Sequence, residues 1–465
     1  MHCHLAALQG YRLQAGLQPM TSEVVPRGLA TALLSARSNK GEIIMRRRRL
    51  VSVVLAAGLI TSAMPLAFAG ANTPAPPGLP SFYSVPSKWP SKAPGTLIKD
   101  TPVAVNGLNG TAYRVMYVSQ ANKAKPVAVT GYLVVPTGTA PKGGWPVVAW
   151  DHGTNGMADL CAPSLNIGTS DIPLQIINAF LAKGWAFTAS DYQGEGTPGL
   201  LPYIVGASAA EDTINIVRAD LGIAGADTSA TWVDWGHSEG GQTAMFVDHL
   251  ATGYAPDLHL LGVVAGAPPS QFTLLNTFLK TSPYAFYILM VAFGFNAYYG
   301  NKAAPLSKVV TAKALSLLPL IAKVKSANDC TGALQAAVAA YVKSNDFGAL
   351  QKADPTTIPA WKKLILANDP QSFSSSSPVP MVIIQGGNDE QIPVVSTQIL
   401  YTHLCSLGQV LQRWIYPGQS HAGVITPSFN DMIQWISDRF AGGANPDPYV
   451  PTGQTGIVPT TQVCN

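Results

Sequence analysis

Two rhythms of hydrophobic positions run through the chain. In residues 111–119 and 127–135 apolar and polar side chains alternate, and that period of two predicts a pair of antiparallel strands. Short, almost purely apolar runs follow at 146–150, 185–190, 231–235, 259–265, 380–384 and 410–416. Between and after them lie stretches of helical periodicity at 171–183, 208–221, 239–250, 394–407 and 427–440. Asp171 is expected to cap the first of these helices, and Gly184 to stop it. Short apolar strands alternating with helices predict a mostly parallel sheet covered on both faces.

The rhythm breaks between 267 and 378. That stretch has helix-like segments at 275–280, 307–323 and 332–343 and ends in a Ser-rich linker at 372–376, so it reads as a helical insertion on the sheet. Within it, residues 281–301 carry no charge and hold Tyr284, Phe286, Tyr287, Phe293, Phe295, Tyr298 and Tyr299. The run is long enough to span a bilayer. Pro283, two glycines, Asn296 and four tyrosines argue against that use. The expectation is a cap over the sheet whose aromatics form its own core or line a channel for an apolar substrate. Ahead of the first strands, residues 71–94 are rich in Pro and Ser and read as an extended arm.

Composition narrows the picture. Of 465 residues, 47% are hydrophobic and only 12% charged, which excludes intrinsic disorder. With 43 glycines and 37 prolines a long coiled coil is excluded as well. The formal charge of +4 rests on residues 1–69, which hold eight basic side chains against two acidic ones; without them the balance is −2. Residues 45–69 have the layout of a secretory signal peptide: four arginines at 46–49, an apolar run at 50–64 and Ala67-Phe68-Ala69 as the cleavage site. Residues 1–44 read as an extension upstream of the native start, with a mature chain from Gly70. No Lys/Arg cluster remains after 69, so no nucleic-acid partner is expected. Four cysteines remain, Cys161, Cys330, Cys405 and Cys464, which allow three pairings. None has the spacing of a zinc site, so disulfides are expected and no metal.

The chemistry is concentrated in Trp235-Gly236-His237-Ser238-Glu239-Gly240-Gly241, the one G-x-S-x-G in the chain. It follows a predicted strand and opens a predicted helix, the context of a nucleophile elbow. A serine needs a base and an orienting carboxylate, and on the α/β-hydrolase plan these follow in the order Ser, acid, His. His249, His259, His403 and His421 come after Ser238. His249 and His403 fall within predicted helices and His259 opens a strand, which leaves His421. The acid is expected at the end of the strand after the insertion, where Asp389 stands, with Glu390 as the fallback. Two backbone amides must hold the oxyanion. Glu239 supplies one; Asp151 is the first choice for the other and Thr154 the second.

The segments VVAWDHGTNG, CAPS, SDYQGEGTPG, VDWGHSEGGQ and LLGVVAGAPPS resemble the secretory lipases of the fungal lipase A type and their bacterial relatives. The likeness extends over residues 86–464. It implies an α/β-hydrolase core at 70–266 and 379–465, a mostly parallel central sheet flanked by helices, and a helical cap or lid at 267–378. It also implies a Ser238–Asp389–His421 triad, oxyanion amides at Asp151 and Glu239, and disulfides Cys161–Cys330 and Cys405–Cys464.

The expected activity is therefore secreted carboxylic-ester hydrolysis through an acyl-enzyme, on a lipid or ester substrate and at a lipid–water interface. No cofactor and no obligate protein partner are inferred. The rival readings are a serine peptidase on the same fold and a non-catalytic lipid-binding protein.

Overall fold

The computed structural model describes residues 72–327, 329–442 and 449–464. The expected signal segment, the residues upstream of it and the mature start at Gly70 lie outside the described residues. Ten strands form one sheet: β1 (Leu97–Val103), β2 (Gly110–Ala121), β3 (Lys125–Pro136), β4 (Trp145–Asp151), β5 (Ala186–Ser190), β6 (Thr228–His237), β7 (His259–Gly266), β8 (Met381–Gly386), β9 (Leu411–Tyr416) and β10 (Thr460–Cys464). Their order is β1-β2-β3-β5-β4-β6-β7-β8-β9-β10. The six strands from β5 to β9 in that order are parallel, and antiparallel pairs flank them at both edges. The central strands are buried on both faces, which is why they read as unbroken apolar runs.

Helices α1 (Leu174–Ala182), α2 (Gly206–Asp220) and α3 (Glu239–Tyr254) follow β4's connection, β5 and β6. Between β7 and β8 come α4 (Phe272–Leu279), α5 (Phe286–Ala303), α6 (Leu306–Val309), α7 (Ala312–Leu315), α8 (Pro319–Ala322), α9 (Gly332–Lys343) and α10 (Pro359–Ala367). Then α11 (Val394–Ser406) and α12 (Ile425–Phe440) complete the set among the described residues. Two apolar clusters fill the faces of the sheet, around Trp150, Phe180 and Trp235 on one side and Tyr117, Ile214 and Trp232 on the other. A separate cluster around Leu289, Phe293, Ile321, Leu334 and Trp361 is the core of the cap. No helix among the described residues is long and apolar enough to cross a membrane.

Several expectations need correction. Asp171 does not cap α1, whose N-cap position is Pro173. Its carboxylate instead accepts from Trp150 Nε1 at 2.9 Å and Tyr132 Oη at 3.3 Å, and burial pushes its pKa up to about 7. The proline two residues on fixes where the helix begins. The single helix expected at 307–323 is three one-turn helices, because Thr311 caps α7 by accepting from the Ala314 amide and Pro319 starts α8 afresh. Strands β1 and β10 and helix α10 were not anticipated. β10 gains its regularity from pairing with β9 rather than from its own pattern.

Candidate active site

β6 delivers the chain to Ser238, which sits at φ 61° and ψ −121° between the last strand residue and the first residue of α3. A non-glycine residue adopts that conformation only when its surroundings impose it. Here the imposition is close packing of backbone on backbone: a Cβ on Gly240 would overlap the Asp151 carbonyl of β4, and one on Gly241 the Gly266 carbonyl of β7. The Ser238 amide donates to that same Gly266 carbonyl at 2.9 Å.

The parallel neighbours bring two further groups to this edge. Asp389 lies three residues beyond β8 and His421 five beyond β9. His421 Nδ1–H donates to Asp389 Oδ2 at 2.8 Å, and both side chains are almost fully buried. Asp389 also accepts from Gln385 Nε2 (2.9 Å) and from the amides of Gln391 (2.9 Å) and Ile392 (2.8 Å). Four donors on two oxygens fix the carboxylate's orientation. His421 Nε2, the other ring nitrogen, is buried without a partner among the described residues. The other candidates lie elsewhere: His249 stacks on Phe373, His403 Nε2 meets the Phe373 carbonyl, and His259 is exposed at the start of β7.

Asp151 ends β4 opposite Gly236, with its carboxyl turned down among Thr213 and Asp234. Burial pushes Asp151 up to about 8, and burial together with the Asp151 charge raises Asp234 as well. Such a pair is neutralised by holding protons. Glu239 is buried too and is pushed up to about 8, partly opposed by a hydrogen bond from the Thr154 hydroxyl. Thr154 in turn is 2.8 Å from the Tyr203 hydroxyl. At neutral pH Glu239 is thus mostly uncharged, which removes the repulsion its carboxylate would exert on a nearby anion. Two residues near the site, His237 and His152, carried no sequence signal, and a third, Glu390, only that of a fallback acid. His237 packs its ring 4.8 Å from that of His421. His152 stacks on Tyr192 at 4.2 Å, and burial lowers it to about 4, so it is neutral. Glu390 accepts from the His421 amide at 3.0 Å.

Ser238 opens into a cavity of about 940 Å³, its mouth included, which runs beneath the cap. Phe272, Leu275, Ile288, Ala292, Val309 and Trp361 are among the apolar residues that line it. Of the seven aromatics in 281–301 only Tyr287 reaches the cavity wall; Phe286, Phe293 and Phe295 are buried in the cap core. Cys161, in the segment after β4, is joined to Cys330 of the cap, and Cys405 at the end of α11 to Cys464 of β10. Among the described residues no group of His, Cys, Asp and Glu is arranged to hold a metal ion.

A family model described as secretory lipase matches residues 163–447. The chain belongs to the secretory lipase family. It is 26% identical over 412 residues to Lipase A of Arthroderma benhamiae, covering 82% of this chain and 83% of that protein. A probable inactive lipase of Mycobacterium tuberculosis is 29% identical over 210 residues, 41% of this chain and 46% of that one. The closed-state crystal structure of Candida antarctica lipase A superposes with a TM-score of 0.67 at 18% identity, over 79% of this chain and 88% of that one. That likeness extends to the fold: this secretory lipase is an α/β-hydrolase.

Proposed function

We propose that the protein is a secreted hydrolase of lipid esters that works by acyl transfer on Ser238. The observation that carries the reading is the convergence of three things at one sheet edge: a strained serine, a histidine oriented by a carboxylate with its second nitrogen unbonded, and an apolar cavity opening from the serine. Ser238 Oγ attacks the ester carbonyl carbon while His421 Nε2 takes its proton. The imidazolium, held by Asp389, returns that proton to the departing alcohol. Water then attacks the acyl-enzyme with His421 again as base, releasing the carboxylic acid and restoring the serine.

The Glu239 amide, at the start of α3, is one donor to the oxyanion. For the second, the geometry favours Thr154 over Asp151. Asp151 lies within β4 with its carbonyl against α3, whereas the chain passes the nucleophile two residues later: a Cβ on Gly153 would lie 3.6 Å from Ser238 Cβ. The cavity accounts for selectivity. Each acyl methylene buried there gains about 0.8 kcal/mol, so the specificity constant is expected to rise to a maximum beyond about four carbons. The arginine-rich, apolar and Ala67-Phe68-Ala69 series supports export through residues 45–69.

Similarity to a probable inactive lipase of Mycobacterium tuberculosis favours a second reading, a lipid-binding protein without turnover. It predicts an unreactive Ser238. Labelling by a fluorophosphonate, lost in Ser238→Ala, supports the enzyme; a wild type that is not labelled rejects it. Turnover of an ester over the matching amide separates the hydrolase from a peptidase.

A further inference from the structure

Glu390 is exposed, immediately follows Asp389, and has both of its carboxylate oxygens engaged. Oε2 accepts from the backbone amide of His421 at 3.0 Å. Oε1 accepts from the hydroxyl of Tyr284, in the cap just before α5, at 3.3 Å. A parallel link runs one residue on, where the Tyr287 hydroxyl donates to Gln391 Oε1 at 3.0 Å and the Gln391 amide donates to Asp389 Oδ1 at 2.9 Å. Two tyrosines of the cap are therefore tied to the turn that carries Asp389 and, through Glu390, to the loop that carries His421.

We propose that Glu390 is a positioning residue that couples the cap to His421, so that the histidine loop is held more firmly in its working place while the cap lies over the site. The proposal rests on the ester-hydrolase reading above. With the cap down, the carboxylate is fixed from the cap side by Tyr284 and clamps the histidine loop through its backbone. With the cap displaced, Tyr284 leaves, and the carboxylate keeps its bond from the His421 amide while Gln391 Nε2, 3.5 Å from Oε1, is left to pull on the other oxygen and redirect it. A carboxylate suits this place because it offers one acceptor oxygen to each donor, whereas an amide side chain at 390 turns an NH2 towards one of them and gives up the charge assistance.

Glu390→Gln is expected to lower kcat about tenfold, the size of losing one charge-assisted hydrogen bond, with KM changed less than about twofold. Tyr284→Phe removes the cap arm alone and is expected to lower kcat about two- to threefold. The double variant should be no worse than Glu390→Gln, because both changes break one chain of contacts. A purely structural role would lower the melting temperature and leave kcat and KM untouched. An unchanged kcat in Glu390→Gln, or losses in the double variant that multiply, overturns the coupling while fluorophosphonate labelling of wild-type Ser238 keeps the hydrolase reading intact. A wild type that is not labelled overturns that reading, and the coupling with it.

Discussion

The sheet edge beneath Ser238 and the cap above it are built on opposite rules. At the edge, β4, β6 and β7 press backbone against backbone around Gly240 and Gly241, and every oxygen of Asp389 has a donor. The cap is an apolar cluster of helices of uneven length, from the single turns of α6, α7 and α8 to the long α5, enclosing a cavity. Catalytic groups need fixed geometry, which a ladder of parallel strands supplies. A wall for acyl chains needs only apolar area of suitable shape, which broken helices supply as well as long ones. Substitutions at the edge should therefore change rate for every ester, and substitutions in the cap should change which ester is preferred.

The largest effects belong to the edge. Ser238→Ala and His421→Ala are each expected to lower kcat by about 10⁴-fold or more, and Asp389→Asn by about 10³- to 10⁴-fold, for all acyl lengths. Melting temperatures should stay within a few degrees of wild type. If Glu390→Gln proved more damaging than Asp389→Asn, the acid would be misassigned.

Next comes the cap. Ala292 on α5 lines the cavity and is nearly buried, so Ala292→Phe narrows the wall without touching Ser238, Asp389 or His421. The expected outcome is a loss of about ten- to a hundredfold on esters longer than eight carbons, equivalent to two or three methylenes denied burial, with little change on butyrate. An equal loss on short and long esters would erase the distinction between edge and cap. A wild type that prefers acetate to every longer ester would mean that the cavity takes no acyl chain.

The two regions also differed in how far they could be read from sequence. Edge residues stand at strand ends, and strand ends are visible where an apolar run stops, so Ser238, Asp389 and His421 could be located by counting elements. The cap has no such ladder: the run at 307–323 looks like one helix until Thr311 and Pro319 break it, and α10 begins at a proline that reads as a stop. Aromatics are the conspicuous feature of 281–301, yet the wall that α5 presents is mostly aliphatic, from Ile288, Leu289, Val291 and Ala292. Glu390 was visible only as a spare acid. Its contact with Tyr284 bridges over a hundred residues, and no local pattern encodes it.

Glu239 lies where the two regions meet, and its effect is smaller. Because burial keeps it protonated up to about pH 8, the site is uncharged there at neutral pH and gains a carboxylate beside the oxyanion as pH rises further. The rate is expected to fall above about pH 8, roughly tenfold once the group is ionised, and Glu239→Gln should flatten that fall while retaining most activity at pH 7. An unchanged alkaline limb in Glu239→Gln would assign the fall to another group.

The smallest expected effect concerns stability, and it again sets the sheet against the cap. The raised carboxyl groups cluster around the sheet: Asp151, Asp212 and Asp248 are each pushed up to about 8 by burial, and Asp171 to about 7. In the unfolded chain these aspartates release their protons near pH 4. Between about pH 4 and pH 8 the folded protein therefore binds more protons than the unfolded one, so stability is full below that window and declines as pH rises through it. The buried histidines His152 and His237, held low by burial, act in the opposite sense, as does exposed Asp257, held low by Arg218. They are fewer than the raised carboxyl groups, and the Asp257 pair is solvent-screened. The melting temperature should thus be several degrees higher near pH 5 than near pH 8. Asp248 on α3 is hydrogen-bonded to Ser377, away from Ser238, so Asp248→Asn removes one such proton without disturbing the chemistry. Its melting temperature should decline less steeply between pH 5 and 8 than that of wild type, by the equivalent of about one proton. A melting temperature that rises across this range, or a slope that Asp248→Asn leaves unchanged, would show that the sheet's buried acids are ionised in the folded state.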